Sequence, residues 1–271
     1  MSLNKRRAVL GRAVFIAALA WLALAAHAES WREHAALGDV FKAAGATGTF
    51  VLYDLDADAY TVFDRARAQT RYIPASTFKI ANSLIGLQVG AVKNVDEVLP
   101  YGGAPQPFKE WERDMPLREA IRASSVPVYQ ELARRIGLPR MREWVGRLDY
   151  GNGEVGEVVD RFWLDGPLRI SAVELVRFLA RLLRGELPVR DDVVAAVREI
   201  TLLERTESYA LHGKTGWVFS TQPNLGWWVG WVERDGRYYA FALNIDMPNP
   251  EQDLAKRVEV ARRCLDLLGM L

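Results

Sequence analysis

The pattern of apolar and polar residues predicts β-strands near both ends of the chain. The segments concerned are short, rich in β-branched and aromatic residues, and bounded by residues that favour turns. They cover residues 47–55, 60–63, 211–219, 225–232 and 238–245. Asp56-Ala57-Asp58 separates the first two strands, and Asp235-Gly236 separates the last two in the arrangement typical of a β-hairpin.

Between these strands the pattern changes to the spacing of helices, with apolar residues three or four positions apart. The segments are residues 77–89, 117–123, 127–136, 141–148, 172–183 and 192–203, and the tail from 251 to 268 has the same spacing. Strands at both chain ends around a helical middle predict an α+β fold. We expect an antiparallel sheet of five to seven strands flanked by helices, beside an all-helical lobe over about residues 84–205. Small-molecule sites usually form in clefts between two such lobes.

The first 28 residues have the three regions of a secretory signal peptide. Four basic residues occur in the first twelve positions, residues 13–25 form an apolar run, and Ala26-His27-Ala28 offers a cleavage site between small residues. The alternative is a membrane anchor, but the apolar run is well short of the ~20 residues that span a bilayer. We therefore expect cleavage before Glu29, export to a bacterial periplasm without membrane attachment, and one domain over residues 29–271.

Charge and cysteine content narrow the possible partners. The chain has 35 basic and 34 acidic residues, and the first 28 carry four of the basic ones and none of the acidic ones, so the remainder has a net charge of −3. This balance does not favour nucleic acid or anionic lipid as a partner. Cys264 is the single cysteine, which excludes an intrachain disulfide, and its place in a helical pattern predicts buried packing.

Ser76-Thr77-Phe78-Lys79 follows Pro74 at the start of a predicted helix. Proline suits a first helical turn, and residues three apart share one helix face, ~5–6 Å apart at Cβ. The helix is apolar on almost all sides, so it should be buried and the pKa of Lys79 lowered toward the neutral amine. A serine beside a neutral lysine matches an activated nucleophile, and a capping serine with a solvated lysine is the alternative.

Ser124-Ser125-Val126 lies where one helical pattern ends and Pro127 opens the next. Taken alone, it is interpreted as a turn or a helix N-cap. A hydroxyl at this place could also relay a proton between Lys79 and a leaving nitrogen, and the position of the segment between two other motifs favours this second interpretation.

Lys214-Thr215-Gly216 lies in a predicted strand near the edge of the sheet. Gly216 has no side chain, so the backbone of a ligand can approach closely there. Lys214 and Thr215 present a cation and a hydroxyl to an anionic group. The alternative, a strand with an exposed lysine, leaves a glycine in the strand interior unexplained.

These three motifs, in this order, form the skeleton of serine enzymes that open β-lactam rings. With them, the chain resembles a class D serine β-lactamase of the oxacillinase type over essentially its whole length after the signal peptide. Other segments that carry the resemblance are Tyr150-Gly151-Asn152, Phe162-Trp163-Leu164, Arg169-Ile170-Ser171 and Trp227-Trp228-Val229-Gly230-Trp231. The resemblance implies hydrolysis of penicillin-type β-lactams through a serine acyl-enzyme, and with it resistance to these antibiotics.

The resemblance also implies how the reaction is catalysed. Ser76 would be the nucleophile and Lys79 the general base, after CO₂ carboxylates its amine; apart from CO₂ or bicarbonate, no cofactor or metal is implied. Trp163 would donate a hydrogen bond from its indole N–H to the carbamate. Val126 would cover the carbamate as an apolar lid, where penicillin-binding proteins usually carry Asn.

For the substrate, the resemblance implies a second set of contacts. The backbone N–H groups of Ser76 and Trp217 would form the oxyanion hole. Arg257 would bind the substrate carboxylate through two parallel hydrogen bonds, beside Lys214 and Thr215. Many members have Phe or Tyr where this chain has Trp217, and the larger ring would either narrow the cleft or favour aromatic side groups.

Other classes of protein fit the residues less well. After signal cleavage, His34 and His212 are the remaining histidines, too few for a typical zinc hydrolase, and His212 is interpreted as a structural strand residue. The alternatives are a penicillin-binding D,D-peptidase, against which Val126 and Trp163 argue, and a membrane-bound β-lactam sensor domain. Substrate range, including carbapenems, and the choice between monomer and homodimer stay open.

Overall fold

A sheet of seven strands, built from both ends of the chain, positions the site. The computed structural model describes residues 30–271, so the predicted signal peptide lies outside the described residues. The strands are β1 (Ser30–Glu33), β2 (Gly48–Asp54), β3 (Ala59–Phe63), β4 (Val98–Leu99), β5 (Met115–Pro116), β6 (Leu202–Arg205), β7 (Tyr209–Val218), β8 (Asn224–Arg234) and β9 (Arg237–Met247). The sheet has the order β1-β3-β2-β9-β8-β7-β6, antiparallel from β3 to β6, while β4 and β5 form a separate ribbon.

Helices occupy the middle of the chain and both faces of the sheet. They are α1 (Ala35–Ala43), α2 (Arg65–Gln69), α3 (Lys79–Gln88), α4 (Leu117–Arg122), α5 (Val126–Ile136), α6 (Leu138–Arg147), α7 (Ala172–Leu183), α8 (Asp191–Thr201), α9 (Pro250–Asp253) and α10 (Lys256–Leu267), with short 3₁₀ helices at Ala75–Phe78 and Lys109–Trp111. The predicted α+β class and the six middle helices are confirmed, whereas α1 and α2 are additions to the predicted set. Within residues 30–271, each helix is too short or too polar to cross a membrane.

Two predicted helices differ from the structure in extent. The helix predicted to reach residue 203 ends at Thr201, and residues 202–205 form the edge strand β6, which pairs with β7. The predicted tail helix is divided into α9 and α10. The stretch expected to be all-helical therefore ends before residue 205, and it also contains the β4–β5 ribbon. A strand depends on a pairing partner that local spacing does not reveal.

The sheet has an apolar core on each face, because successive side chains of a strand point to opposite sides. In β2, Val51 and Tyr53 belong to the core under the middle helices, whereas Phe50 and Leu52 belong to the core under α1 and α10. Cys264 is buried in this second core, as predicted, and burial raises the pKa of its thiol to about 12. Strand β7 pairs with β6 and β8, and it contributes Val218 to the first core and Leu211 to the second.

Candidate active site

Ser76 and Lys79 lie at the junction of the 3₁₀ turn Ala75–Phe78 and helix α3. Side chains three residues apart eclipse one another in a 3₁₀ turn, which places the lysine beside the serine. Nζ of Lys79 donates a hydrogen bond to Oγ of Ser76 over 2.7 Å. Lys79 is fully buried, and this burial, followed by the charge of Lys214, lowers the pKa of its amine well below the usual value. The predicted proximity and burial of the pair are confirmed.

The turn that carries Ser76 is held against strand β7. Ala75 has a φ angle of 48°, in the left-handed region, which costs a non-glycine residue roughly 1–2 kcal/mol. The hydroxyl of Thr77 braces the turn by donating to the carbonyl of Pro74 over 2.8 Å. A Cβ at Gly216 would lie 3.1 Å from both the Pro74 carbonyl oxygen and the Thr77 methyl group. The absence of a side chain at Gly216 therefore leaves room for the turn that carries Ser76. Contact with β7 holds this turn in its strained conformation.

Lys214 connects strand β7 with the turn that precedes α5. Its Nζ donates to Oγ of Ser124 over 3.0 Å, and to the carbonyl and hydroxyl oxygens of Thr215 over 3.0 and 3.3 Å. The hydroxyl expected to lie between Lys79 and a leaving nitrogen is thus bonded to Lys214. Burial, followed by the positive charge of Arg257, lowers the pKa of Lys214 to about 7. Near neutral pH this amine exists in both protonation states, so it can donate or accept a proton.

One aromatic ring lies beside the Lys79 amine, and another, beside the preceding residue Phe78, has an unpartnered donor. Nζ of Lys79 lies 5.2 Å from the centroid of the Tyr129 ring. Trp163 is fully buried and stacks on Phe78, the residue before Lys79, with ring centroids 5.6 Å apart. Among residues 30–271, nothing accepts a hydrogen bond from the indole N–H of Trp163. A buried donor left without a partner costs roughly 1–3 kcal/mol, so this N–H is free to donate to an acceptor that reaches the ring.

Arg257 reaches from the first turn of α10 to strand β7. Its Nη1 donates to the carbonyl of Gly216 over 2.7 Å, and its Nε donates to the carbonyl of Leu254 over 2.8 Å. Burial lowers the pKa of the guanidinium to about 10, so it stays charged at neutral pH. A guanidinium has five N–H donors, and these two bonds hold it in place while it lines a cavity beside Ser76.

This cavity has a volume of about 220 Å³ and brings most of the predicted residues together. Its wall includes Ser76, Ser124, Val126, Thr215, Gly216, Trp217 and Arg257. Lys79 and Lys214 lie behind the wall, each hydrogen-bonded to one of its serines. The arrangement therefore presents a serine hydroxyl, two amines of lowered pKa and a guanidinium to one small space, which is the chemistry of a nucleophilic hydrolase.

Sequence reasoning missed an aromatic part of the wall. Phe108, Trp111 and Phe219 line the same cavity, together with Leu164 of the segment Phe162-Trp163-Leu164. Phe108 and Phe219 are 37% and 53% exposed, which is unusual for such large apolar side chains. Their signal in the sequence is a pair of aromatic residues in a loop rich in Gly and Pro, and another just after the Lys-Thr-Gly motif.

His212 is a structural residue of strand β7, as predicted. It stacks on Trp231 with ring centroids 4.4 Å apart, and its Nδ1 lies 2.9 Å from the carbonyl oxygen of Arg198. Burial lowers the pKa of the imidazole to about 4, so the ring is neutral at physiological pH. In the part of the chain that the structure describes, no three His, Cys, Asp or Glu side chains gather in a way that could hold a metal ion.

Comparisons with known proteins agree with this geometry. The family model described as the penicillin-binding protein transpeptidase domain matches residues 48–266. β-Lactamase OXA-5 of Pseudomonas aeruginosa is 40% identical over 256 residues, which cover 93% of this chain and 96% of that protein. β-Lactamase OXA-48 of Klebsiella pneumoniae is 39% identical over 239 residues, covering 88% and 90%.

Solved structures give the same result. The class D β-lactamase YbXI from Nostoc superposes with a TM-score of 0.85 at 42% identity, covering 87% of this chain and 99% of that one. The class D β-lactamase FUS-1 (OXA-85) from Fusobacterium nucleatum subsp. polymorphum also has a TM-score of 0.85 at 42% identity, covering 89% and 100%. The chain belongs to the penicillin-binding protein transpeptidase family and, within it, to the class D β-lactamases.

Proposed function

We propose that the protein hydrolyses the β-lactam ring of penicillin-type antibiotics through an acyl-enzyme on Ser76. The observation that carries this proposal is the 2.7 Å hydrogen bond between Ser76 and a fully buried Lys79 whose pKa is lowered. An unprotonated Lys79 at this distance provides a general base for the serine hydroxyl once it carries the carbamate proposed below, whereas a protonated amine provides none.

Acylation forms one bond and breaks another. Oγ of Ser76 attacks the carbonyl carbon of the ring, and the bond from that carbon to the ring nitrogen breaks. The nitrogen needs a proton as it leaves, and the hydrogen-bonded pair of Lys214 and Ser124 can supply it because the pKa of Lys214 is about 7. Water then attacks the ester, releases the opened antibiotic and restores Ser76.

The chain also offers groups that orient the substrate. We assign the backbone N–H groups of Ser76 and Trp217 to the oxyanion of the tetrahedral intermediate, which requires donors fixed in advance. The bracing of the Ser76 turn against β7 at Gly216 supports this assignment. Arg257, beside Lys214 and Thr215, would bind the substrate carboxylate through a charge-assisted pair.

Carboxylation of Lys79 by CO₂ completes the proposal, and the residues present fit such a group. The neutral amine is the form that would combine with CO₂, forming an N–C bond and releasing one N–H proton to solvent, and the unpartnered N–H of buried Trp163 offers a donor to the carbamate that would result. Val126, in the cavity wall, would shield it from bulk water. When bound, CO₂ gives Lys79 carbamate oxygens that can accept a proton from Ser76 and from the hydrolytic water.

The proposed setting is the bacterial periplasm, reached through a cleaved signal peptide over residues 1–28, with residues 29–271 as one catalytic domain that acts as a monomer or a homodimer. In that compartment the enzyme would destroy β-lactams before they reach their targets, and so confer resistance. The basic n-region, the apolar run and the small-residue cleavage site support this setting.

The test measures a covalent adduct on the protein and a rate of substrate turnover. Protein trapped with a penicillin and digested should carry the added mass on the peptide that contains Ser76, and Ser76→Ala should carry none, whereas the exposed Ser208→Ala should behave as the wild type. Turnover of a chromogenic cephalosporin should rise with added bicarbonate. An adduct on another residue, or recovery of the antibiotic with its β-lactam ring unopened, would overturn the proposal.

A further inference from the structure

A second cavity, of about 610 Å³, continues from the active-site cavity. The two cavities share the side chains of Phe108, Trp111, Val126, Leu164, Trp217 and Phe219. The rings of Trp217 and Phe219 lie against each other, with centroids 4.3 Å apart. These two rings therefore form a common wall, along which a group that extends from a substrate on Ser76 would lie.

Asn224, the first residue of β8, holds both parts of this wall. Its Oδ1 accepts a hydrogen bond from Nε1 of Trp217 over 3.0 Å. Its Nδ2 donates to the carbonyls of Thr221 and Phe219 over 2.8 and 3.3 Å. Asn224 is 8% exposed and its three bonds are partly buried, so their loss would leave polar groups with fewer partners. One amide thus fixes the indole and the backbone that carries Phe219.

The position of Phe219 in the wall depends on the Asn224 amide, because few apolar contacts hold this ring in place. The side chain of Phe219 is 53% exposed, on the connection that joins β7 to β8. An exposed ring in a short connection buries little apolar area that could fix its position. The Asn224 amide supplies that constraint.

We propose that Asn224 is a positioning residue that sets selection among substrates: its amide fixes Trp217 and Phe219 as a wall against the acyl side chain of a bound β-lactam. The proposal rests on the β-lactam hydrolysis proposed above and adds to it a residue that acts from outside the cavity wall. Asn224 does not line either cavity, so its effect passes through the two rings.

The test compares two substrates in wild type and Asn224→Ala. Oxacillin carries an aryl-isoxazolyl acyl side chain, and 6-aminopenicillanic acid carries no acyl side chain. The ratio of kcat/KM for oxacillin to kcat/KM for 6-aminopenicillanic acid should fall about tenfold in the variant, mainly through KM for oxacillin, because the lost contacts are with the side chain. A ratio that stays unchanged, even if kcat/KM falls by the same factor on both substrates, overturns the inference. Absence of turnover in the wild type overturns the proposed function and this inference with it.

Further variants separate positioning from a general loss of structure. Asn224→Asp keeps an acceptor for the indole and loses the amide donors, so its ratio should be intermediate. Trp217→Phe keeps a ring without the N–H, and adding Asn224→Ala to it should change the ratio less than in the wild type; additive effects would overturn the coupling. Asn152→Ala is the matched control, because this amide braces a loop through Arg169 and Pro167 outside both cavities, and it should leave the ratio unchanged.

Discussion

Replacing Lys214 by methionine should stabilise the protein near neutral pH while it removes the proposed proton donor. Lysine has a pKa of about 10.5 when it is solvated, and burial beside Arg257 lowers the value to about 7. Each pKa unit corresponds to about 1.4 kcal/mol, so keeping this lysine buried costs about 5 kcal/mol at and below pH 7. Methionine has a similar length and no charge, and it removes that cost.

The lost hydrogen bonds offset part of the gain. Lys214 donates to Ser124 and to two oxygens of Thr215, and each such bond contributes about 1 kcal/mol. The net gain near pH 7 should therefore be about 2 kcal/mol, or a rise in Tm of about 4–8 °C for a domain of this size. The variant should lose most of its activity, which makes the lysine a case of stability given up for function.

The stability difference between wild type and variant should change with pH, in a direction that follows from the lowered pKa of Lys214. Between about pH 7 and 10.5 the unfolded chain binds the Lys214 proton and the folded chain does not, so the stability of the wild type rises with pH relative to the variant. Lys214→Met should therefore be more stable than the wild type near pH 7. Near pH 10 it should be less stable, because the wild type no longer has the cost of a buried charge and still has the hydrogen bonds of Lys214. Urea unfolding of both proteins from pH 6 to 10 measures this crossing, with the exposed Lys42→Met as control. A stability difference that is constant with pH would refute the reasoning.

Three further changes test the site. Trp163→Phe removes the unpartnered indole donor and should make turnover depend more steeply on bicarbonate and decline earlier on acidification, as steady-state rates over a bicarbonate and pH series would report. Arg257→Ala should raise KM for penicillins about 10- to 100-fold by removing a charge-assisted pair worth roughly 1.5–3 kcal/mol, and Arg257→Lys should recover part of it in initial-rate kinetics. Gly216→Ala should lower the acylation rate measured by rapid mixing, because the new Cβ would crowd the carbonyl of Pro74 at 3.1 Å and shift the Ser76 turn.

Each of these predictions has an outcome that contradicts it. Equal responses of wild type and Trp163→Phe to bicarbonate and acid would mean that the indole supports no carbamate. An unchanged KM in Arg257→Ala would remove the carboxylate assignment. For Gly216→Ala the matched control is Gly146→Ala, where an added Cβ meets nothing within 4 Å, so equal acylation rates in the two variants would dismiss the packing argument.

The order of strands and helices could be predicted because it depends on side chains a few residues apart. The hairpin at Asp235-Gly236 is an example, since both residues have the positive φ angles, 52° and 73°, that its turn requires. The edge strand β6 could not be predicted, because residues 202 and 203 continue the helical spacing of residues 192–203, and residues 202–205 become a strand through their pairing with β7. The aromatic wall around Phe108 and Phe219 lies in loops, where spacing carries no information about which side chains meet.

That Ser76 and Lys79 share one turn follows from the chain's local order, because three residues of backbone set the distance between them. Which charges surround that turn depends on tertiary packing. The bond from Lys214 to Ser124 joins residues 90 positions apart, and the bond from Arg257 to Gly216 joins residues 41 positions apart. The lowered pKa values of both lysines come from burial under segments distant in sequence, since the free energy of a buried charge depends on everything that excludes water from it.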